Sequence, residues 1–320
     1  MLALVLGGNG FIGSHVVDRL VSEGHSVRVY DRSSVEGTEF GHSKVSYCQG
    51  NFDDHERLNE ALDSVDVVFH LISTSVPSTS NLDPVSDIQS NLVNTVKLLK
   101  VMEAHSVQKI VYLSSGGTVY GVPEQSPIPE EHPLSPICSY GIVKVAIENY
   151  LHMYSRLNGL DYVALRASNP FGPRQGNSGI QGVVGTFLWK AANHQPIDIY
   201  GDGSVVRDFL HVTDLAKLCV SAANSSNVGS YNAGSGCGHS ISDVVDTISR
   251  VTGAALEVKY HEGRAFDVPH CVLDISKARR VFNWSPTIEF EHGVVDTWNW
   301  INKQESACNC AGIENSSCIA

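Results

Sequence analysis

The chain opens on an apolar run, Leu2–Leu6, that passes straight into a glycine-rich turn. Short apolar runs rich in valine, isoleucine and tyrosine recur at 27–30, 45–48, 65–71, 110–113 and 162–165. Runs of this length without polar alternation predict strands of a parallel sheet buried on both faces. Between them the spacing changes to the helical period, at 12–22, 57–62, 84–104 and 140–158. Strand and helix in alternation predict an α/β fold, a Rossmann-like doubly wound parallel sheet with right-handed crossovers.

Beyond Asn169-Pro170-Phe171-Gly172-Pro173 the alternation breaks, and glycine-rich stretches at 175–185, 201–203 and 234–238 separate shorter elements. This pattern predicts a dinucleotide-binding domain over 1–170, with a return segment near 205–225. A smaller, irregular α/β substrate-binding domain is expected over 171–301. It would close over the C-terminal edge of the sheet, where ligands of open α/β sheets bind. Residues 302–320 read as a polar tail, expected to be disordered.

Composition narrows the picture. With 320 residues, 42% hydrophobic and 18% charged, the chain can bury a substantial core. A formal net charge of -12, without any block of lysine and arginine, speaks against nucleic acid or an anionic membrane as the main partner. No run is long enough to span a bilayer, and the opening run is short and lacks the basic flank of a signal peptide. Cys48, Cys138, Cys219, Cys237 and Cys271 are scattered among predicted core elements, which fits a reducing, cytoplasmic location. Cys308, Cys310 and Cys318 in the tail lack the histidine or second cysteine pair that would complete a metal site, so no metal is expected.

The glycine turn is Gly7-x-x-Gly10-x-x-Gly13, between a strand and an amphipathic helix that begins at Phe11 and Ile12. Glycines there let backbone approach a pyrophosphate, and the helix N-terminus favours its charge. Asp31 closes the second strand at the distance where a carboxylate bonds the ribose hydroxyls, which favours NAD over NADP; adjacent Arg32 pulls the other way. Asn51 and Phe52, after the third strand, are expected to flank the adenine. Leu71, Ile72, Ser73 and Ser75, after the fourth, should line the phosphate and nicotinamide side. Asn91 could bond backbone near the cofactor or simply be a satisfied helix asparagine.

Tyr140 and Lys144 stand on one face of a helix. A phenol titrates near ~10. A neighbouring ammonium and a positive nicotinamide would stabilise its anion, so that Tyr140 could take a hydroxyl proton while hydride leaves the same carbon. A tyrosine and lysine can also share a helix face by chance. Here they accompany a cofactor fingerprint and Ser114-Ser115-Gly116-Gly117-Thr118-Val119-Tyr120-Gly121 at a strand end.

These motifs, with Asn169-Pro170-Phe171-Gly172-Pro173-Arg174-Gln175, Val206-Arg207-Asp208-Phe209-Leu210-His211-Val212 and Arg264-x-x-Asp267, give the chain a family resemblance. It resembles the extended short-chain dehydrogenase/reductase family, most closely its nucleotide-sugar 4-epimerases of the UDP-glucose/UDP-N-acetylglucosamine type, from Leu2 to about Ile301. The resemblance implies that NAD takes hydride from sugar C4 while Tyr140 takes the proton. The 4-keto sugar then turns over, and hydride returns to its other face. It also implies UDP contacts at Asn169, the backbone of Gly182 and Val183, Arg207, Arg264 and Asp267, with Tyr200 beside the uracil. Arg207 and Asp208 could instead merely pair with each other. A homodimer packed through the helices at 84–104 and 140–158 is implied too.

Departures from the family pattern are informative. The hydroxyl partner of the catalytic tyrosine usually occupies the position of Gly116, so Ser115, Thr118 or a water must supply it. No acid stands at Gly117-Thr118, where the family's dehydratases carry one. Gly176 occupies a slot that often holds arginine in uronic-acid epimerases, although Arg174 is close by. Cys271 falls where the family's pocket carries a gate residue, and a small residue there leaves room for an N-acetyl group; it could equally be a small strand hydrophobe. A 4-reductase, a uronic-acid epimerase and a non-catalytic dinucleotide sensor are the alternatives to a UDP-sugar 4-epimerase.

Overall fold

The computed structural model describes residues 1–33, 44–176, 182–263 and 268–311, with side chains as far as residue 304. Each expected apolar run forms a strand: β1 (Leu2–Leu6), β2 (Ser26–Asp31), β3 (Val45–Gln49), β4 (Val67–His70), β5 (Lys109–Ser115) and β6 (Asp161–Ala167). The chain continues through β7 (Asn169–Phe171), β8 (Ile197–Tyr200) and β9 (Val206–His211) before β10 (Gly229–Ala233) joins the first sheet. The order across that sheet is β10-β6-β5-β4-β1-β2-β3, with every neighbouring pair parallel. All its C-terminal ends therefore share one edge. The order reverses between β1 and β4, which opens a crevice there.

Helices cover both faces. Along β1, Ala3 and Val5 enter one core, and Leu4 and Leu6 the other. The first core holds Val16, Val17 and Leu20 of α1 (Phe11–Ser22); the second holds Leu58 of α2 (His55–Ala61). A two-sided core is why these strands are uniformly apolar. The helical stretch expected over 84–104 is instead three pieces: α3 (Pro84–Asp87), a π-helical turn (Ile88–Val93) and α4 (Asn94–Ala104). Here side chains compete for the helix's own carbonyls. Ser90 Oγ, Asn91 Nδ2, Asn94 Nδ2 and Thr95 Oγ1 each donate to the carbonyl four residues back.

Next come α5 (Ser139–Asn158), ended by Gly159 at φ 73, α6 (Val183–Ala192) and α7 (Val212–Ala223). Helix α7 packs on α1. The chain returns to the first sheet through α7 and β10, while β9, at the start of the segment expected near 205–225, belongs to a second sheet. The second unit is built on β9, which pairs with β7, β11 (Gly238–Ser240) and β13 (His270–Cys271), while β8 pairs with β12 (Val258–His261). Its core gathers Val184 and Leu188 of α6, Val244 and Ile248 of α8 (Ile241–Thr252), and Val294 and Ile301 further on. After α9 (Ser276–Phe282) the last helix, α10 (Phe290–Ala311), runs past the boundary expected at 301. Lysine, glutamine, glutamate and alanine, good helix formers, follow Ile301 and sustain the backbone although the apolar pattern has stopped.

Candidate active site

The first turn after β1 is fixed by contact. Gly7 holds φ +83, and a Cβ on Gly13 would stand 2.0 Å from the Gly7 carbonyl oxygen. On Gly10 a Cβ would meet only that oxygen, at 3.2 Å, so its outer side is an open cradle. Gly10 caps α1 with no side-chain hydrogen bond and no acid follows in the first turn, which leaves the helix N-terminus to a bound anion. Asp31, at the end of β2, accepts from the Asn9 N–H at 3.1 Å and from Ser33 Oγ at 2.9 Å, tying the turn to its neighbour strand. Arg32 is exposed. Asn51 follows β3 on the same edge, its carbonyl held by the Tyr30 hydroxyl at 2.7 Å. Phe52 does not present its ring there: it is buried in the core against His70, with ring centroids 5.0 Å apart. Its apolar ring gains more by packing than by exposure, so a flanking role would fall to its backbone.

Leu71 and Ile72 continue from β4, with Leu71 N–H donating to Leu6 O at 3.2 Å and Ile72 facing Gly7. Asn91 does bond backbone, accepting the Thr74 N–H at 2.9 Å. Its amide also reaches the Asp87 carboxylate at 2.9 Å, and Asp87 takes Ser75 Oγ at 2.6 Å and Ser139 Oγ at 2.7 Å.

A cavity of about 440 Å³ opens at the C-terminal ends of β5 and β6. Phe11, Ile12, Ser114, Ser115, Thr118, Tyr140, Asn169, Gly182, Val183, Arg207 and Cys271 of the expected set all line it. Its size is that of a small-molecule site. Lys144 is buried behind it, its Nζ donating to Leu113 O at 2.9 Å and lying 5.2 Å from the centre of the Tyr140 ring. Burial pushes the Lys144 ammonium down to about 8, against the pull of Asp87 and Glu148. Burial likewise pushes the Tyr140 phenol up to about 12, while a hydrogen bond with Ser73 works the other way. In the bare chain the phenol therefore holds its proton at neutral pH, and positive charge brought by a ligand would favour its anion.

Gly116 is a correction. It does not line the cavity, since a Cβ there would meet Leu273 Cδ1 at 2.5 Å and Arg166 O at 2.9 Å. The position is filled by packing. Thr118 Oγ1, in contrast, is a buried hydroxyl without a hydrogen-bond partner on the cavity wall. Tyr200 is stacked on His261 with ring centroids 5.2 Å apart, beside this cavity's lining rather than in it. Arg207 donates to the carbonyls of Val206 and Val268 at 3.0 and 2.6 Å. Asp208, on the opposite face of the strand, takes Ser235, Gly236 and Leu273 instead. Arg264 and Asp267 lie outside the described residues.

Sequence reading missed Gln175, Ser168 and Asp87. Gln175 is nearly buried, and its amide fills the space that side chains at Gly182 and Gly185 would take. Its Oε1 and the Ser168 hydroxyl are buried without partners, and both residues line the cavity. Gln175 sat within a quoted motif without a role. A buried aspartate in a polar helical stretch gave no periodic signal.

A two-sided parallel sheet, a glycine cradle at its first turn and a tyrosine–lysine pair beside a cavity define a dinucleotide-dependent enzyme of the Rossmann type. The chain belongs to the NAD dependent epimerase/dehydratase family, whose model matches residues 3–234. Its cofactor is NAD. The chain is 35% identical over 302 residues to a putative UDP-glucose 4-epimerase of Methanocaldococcus jannaschii, covering 94% of this chain and 98% of that one. Among solved structures, UDP-glucose 4-epimerase from Thermotoga maritima with UDP-glucose matches at TM-score 0.90 and 33% identity, over 95% of this chain and 99% of that one. UDP-N-acetylglucosamine 4-epimerase from Methanobrevibacter ruminantium, in complex with UDP-N-acetylmuramic acid, matches at 0.88 and 31%, over 94% and 98%. Among the described residues no helix is long and apolar enough to cross a membrane, and no cluster of three His, Cys, Asp or Glu could hold a metal.

Proposed function

We propose that this chain inverts C4 of a UDP-hexose and also accepts the N-acetylhexosamine. The observation that carries the reading is one cavity lined by the Tyr140 hydroxyl-bearing ring, the partnerless Thr118 hydroxyl and a small buried thiol at Cys271. Gly7, Gly10, Gly13, Asp31, Asn51, Leu71 and Ser73 stand along the sheet edge to hold the dinucleotide. When bound, NAD supplies an acceptor for the C4 hydride, a donor for its return, and a positive ring beside the phenol. Tyr140 takes the C4 hydroxyl proton and gives it back. Lys144, fixed to Leu113 O, keeps positive charge behind the Tyr140 ring. Thr118, with Ser115, orients the sugar oxygen through a hydrogen bond. Asn169, Gly182, Val183 and Arg207 form the wall for the diphosphate, and Arg207 brings the charge for it.

Cys271 Sγ lies 3.8 Å from Gly116 O, and burial pushes its thiol up to about 11, so it is a neutral, compact wall. A compact residue at this position is what supports the N-acetylhexosamine reading. A uronic acid is disfavoured because Arg174 does not line the cavity; it pairs with Asp18 on α1 at 2.7 Å. The free thiols at Cys48, Cys138, Cys219, Cys237 and Cys271 fit a cytoplasmic location.

Proton NMR of the protein with NAD and, in turn, UDP-galactose, UDP-N-acetylgalactosamine and UDP-galacturonic acid tests the reading. Epimerisation of the first two without added reductant is expected, and none of the third. Tyr140→Phe should lower kcat by about 10²- to 10⁴-fold. Cys271→Tyr should abolish N-acetylhexosamine turnover and spare the hexose. Equal turnover of both sugars by that variant would remove the gate.

A further inference from the structure

Asp87 is a carboxylate only 3% exposed, at the junction where α3 becomes a π-helical turn. Buried carboxylates are costly unless they are hydrogen-bonded and balanced. Its three side-chain donors come from three separate places: Ser75 in the loop after β4, Asn91 in the π turn, and Ser139 at the start of α5. All three donors are neutral. The same stretch also receives the backbone of α5. Asn81 Oδ1 accepts the Ser139 N–H at 2.8 Å, and Ser80 Oγ accepts the Tyr140 N–H at 3.1 Å.

The ionisable groups that feel the Asp87 charge are Tyr140 and Lys144 of α5 and Tyr112 of β5; Cys138 bears on Tyr140, and Glu148 on Lys144 and Tyr112. Among them Lys144 is the cation, and it is buried too. Its neighbours explain why it needs a counter-charge: its Nζ rests over the Tyr112 ring at 4.9 Å and reaches a neutral carbonyl.

We propose that Asp87 is a positioning residue for the reaction: its carboxylate ties the loop after β4 and the π-helical turn to the start of α5, and its charge bears on Tyr140 and Lys144 of that helix. This rests on the epimerase reading above. The anion acts on both groups in the same sense: it strengthens the proton on Lys144 and also the proton on Tyr140. Removing its charge eases ionisation of both.

Asp87→Asn is the test, since the amide keeps the shape and an acceptor. Its kcat should fall at least tenfold, and both limbs of its kcat–pH profile should move to lower pH by at least half a unit. Ser139→Ala, which removes one bond and keeps the charge, should lower kcat about threefold or more with the profile unmoved. A second readout needs no turnover. With [13Cζ]-tyrosine, and Tyr140→Phe to assign the signal, the Tyr140 resonance should titrate at lower pH in Asp87→Asn. A superimposable titration and profile would overturn the charge role, and an unchanged kcat in Ser139→Ala would overturn the positioning role. If Asp87→Asn does not fold, Asp87→Ser carries the charge test: it removes the carboxylate and keeps a hydroxyl, the Tyr140 resonance should again titrate at lower pH, and no movement overturns the proposal. A parent protein that leaves every UDP-sugar unchanged would sink the epimerase reading instead, while the tyrosine titration would still report on Asp87.

Discussion

At Gly116 a side chain has nowhere to go. Restoring the family's hydroxyl by Gly116→Ser would push Leu273 and the β6 backbone at Arg166, and should cost about 1–3 kcal/mol of stability without raising kcat. Thr118→Val should lower kcat by about 10²-fold, because it removes a hydrogen bond in a water-poor site. Thermal unfolding and kcat of the two variants check the pair. A gain of activity in Gly116→Ser would return the role to that position. The sequence made the missing hydroxyl visible but not its replacement, since choosing between Ser115 and Thr118 needs the partners of each oxygen. The ring orientations of Phe52 and Tyr200 were hidden for a related reason. An aromatic beside a predicted site looks the same in sequence whether it faces the ligand, the core or another ring.

At the scale of elements, the motif segment 169–175 is latched to the cofactor helix. His15 Nε2 of α1 donates to Pro173 O at 2.9 Å, and Asp18 one turn on pairs with Arg174. Burial pushes the His15 imidazole down to about 4, and that of His70 down to about 3. Both are neutral in the fold and charged in the unfolded chain between about 4 and ~6.5. The unfolded chain then binds more protons, so stability falls as pH drops through that window. Each histidine contributes a slope approaching 1.4 kcal/mol per pH unit. His15→Gln should flatten the fall, measured as urea midpoint against pH from 7 to 4.5. An unaltered slope would remove His15 from it. The strands were legible because burial on two faces leaves uniform apolar runs. The break at the π turn was not, because serine, asparagine and threonine leave the periodicity intact while their side chains take the carbonyls.

At the scale of the whole molecule, several of the exposed large apolar residues fall on two helices in contact, α3 and α5. Leu82, Val85 and Ile88 stand on or beside α3, and Ile142, Met153 and Leu157 on α5, with Leu82 83% and Leu157 75% exposed. A patch of this kind on neighbouring helices marks an interface. The dimer expected from the family resemblance would bury this face. The double variant Ile142→Asp, Leu157→Asp should sediment as a monomer at micromolar concentration while the parent sediments as a dimer; equal masses would place the contact elsewhere. Tyr140 and Asp87 lie on these same helices, so a monomer should also turn over more slowly.

The latch between α1 and the 169–175 segment has a wider consequence. The residues that would grip a dinucleotide and those that would grip a sugar nucleotide are levers on a common fulcrum. Loosening Asp18, on the dinucleotide side, would free the segment that faces the sugar nucleotide without touching that ligand, so a change in one affinity should be felt in the other.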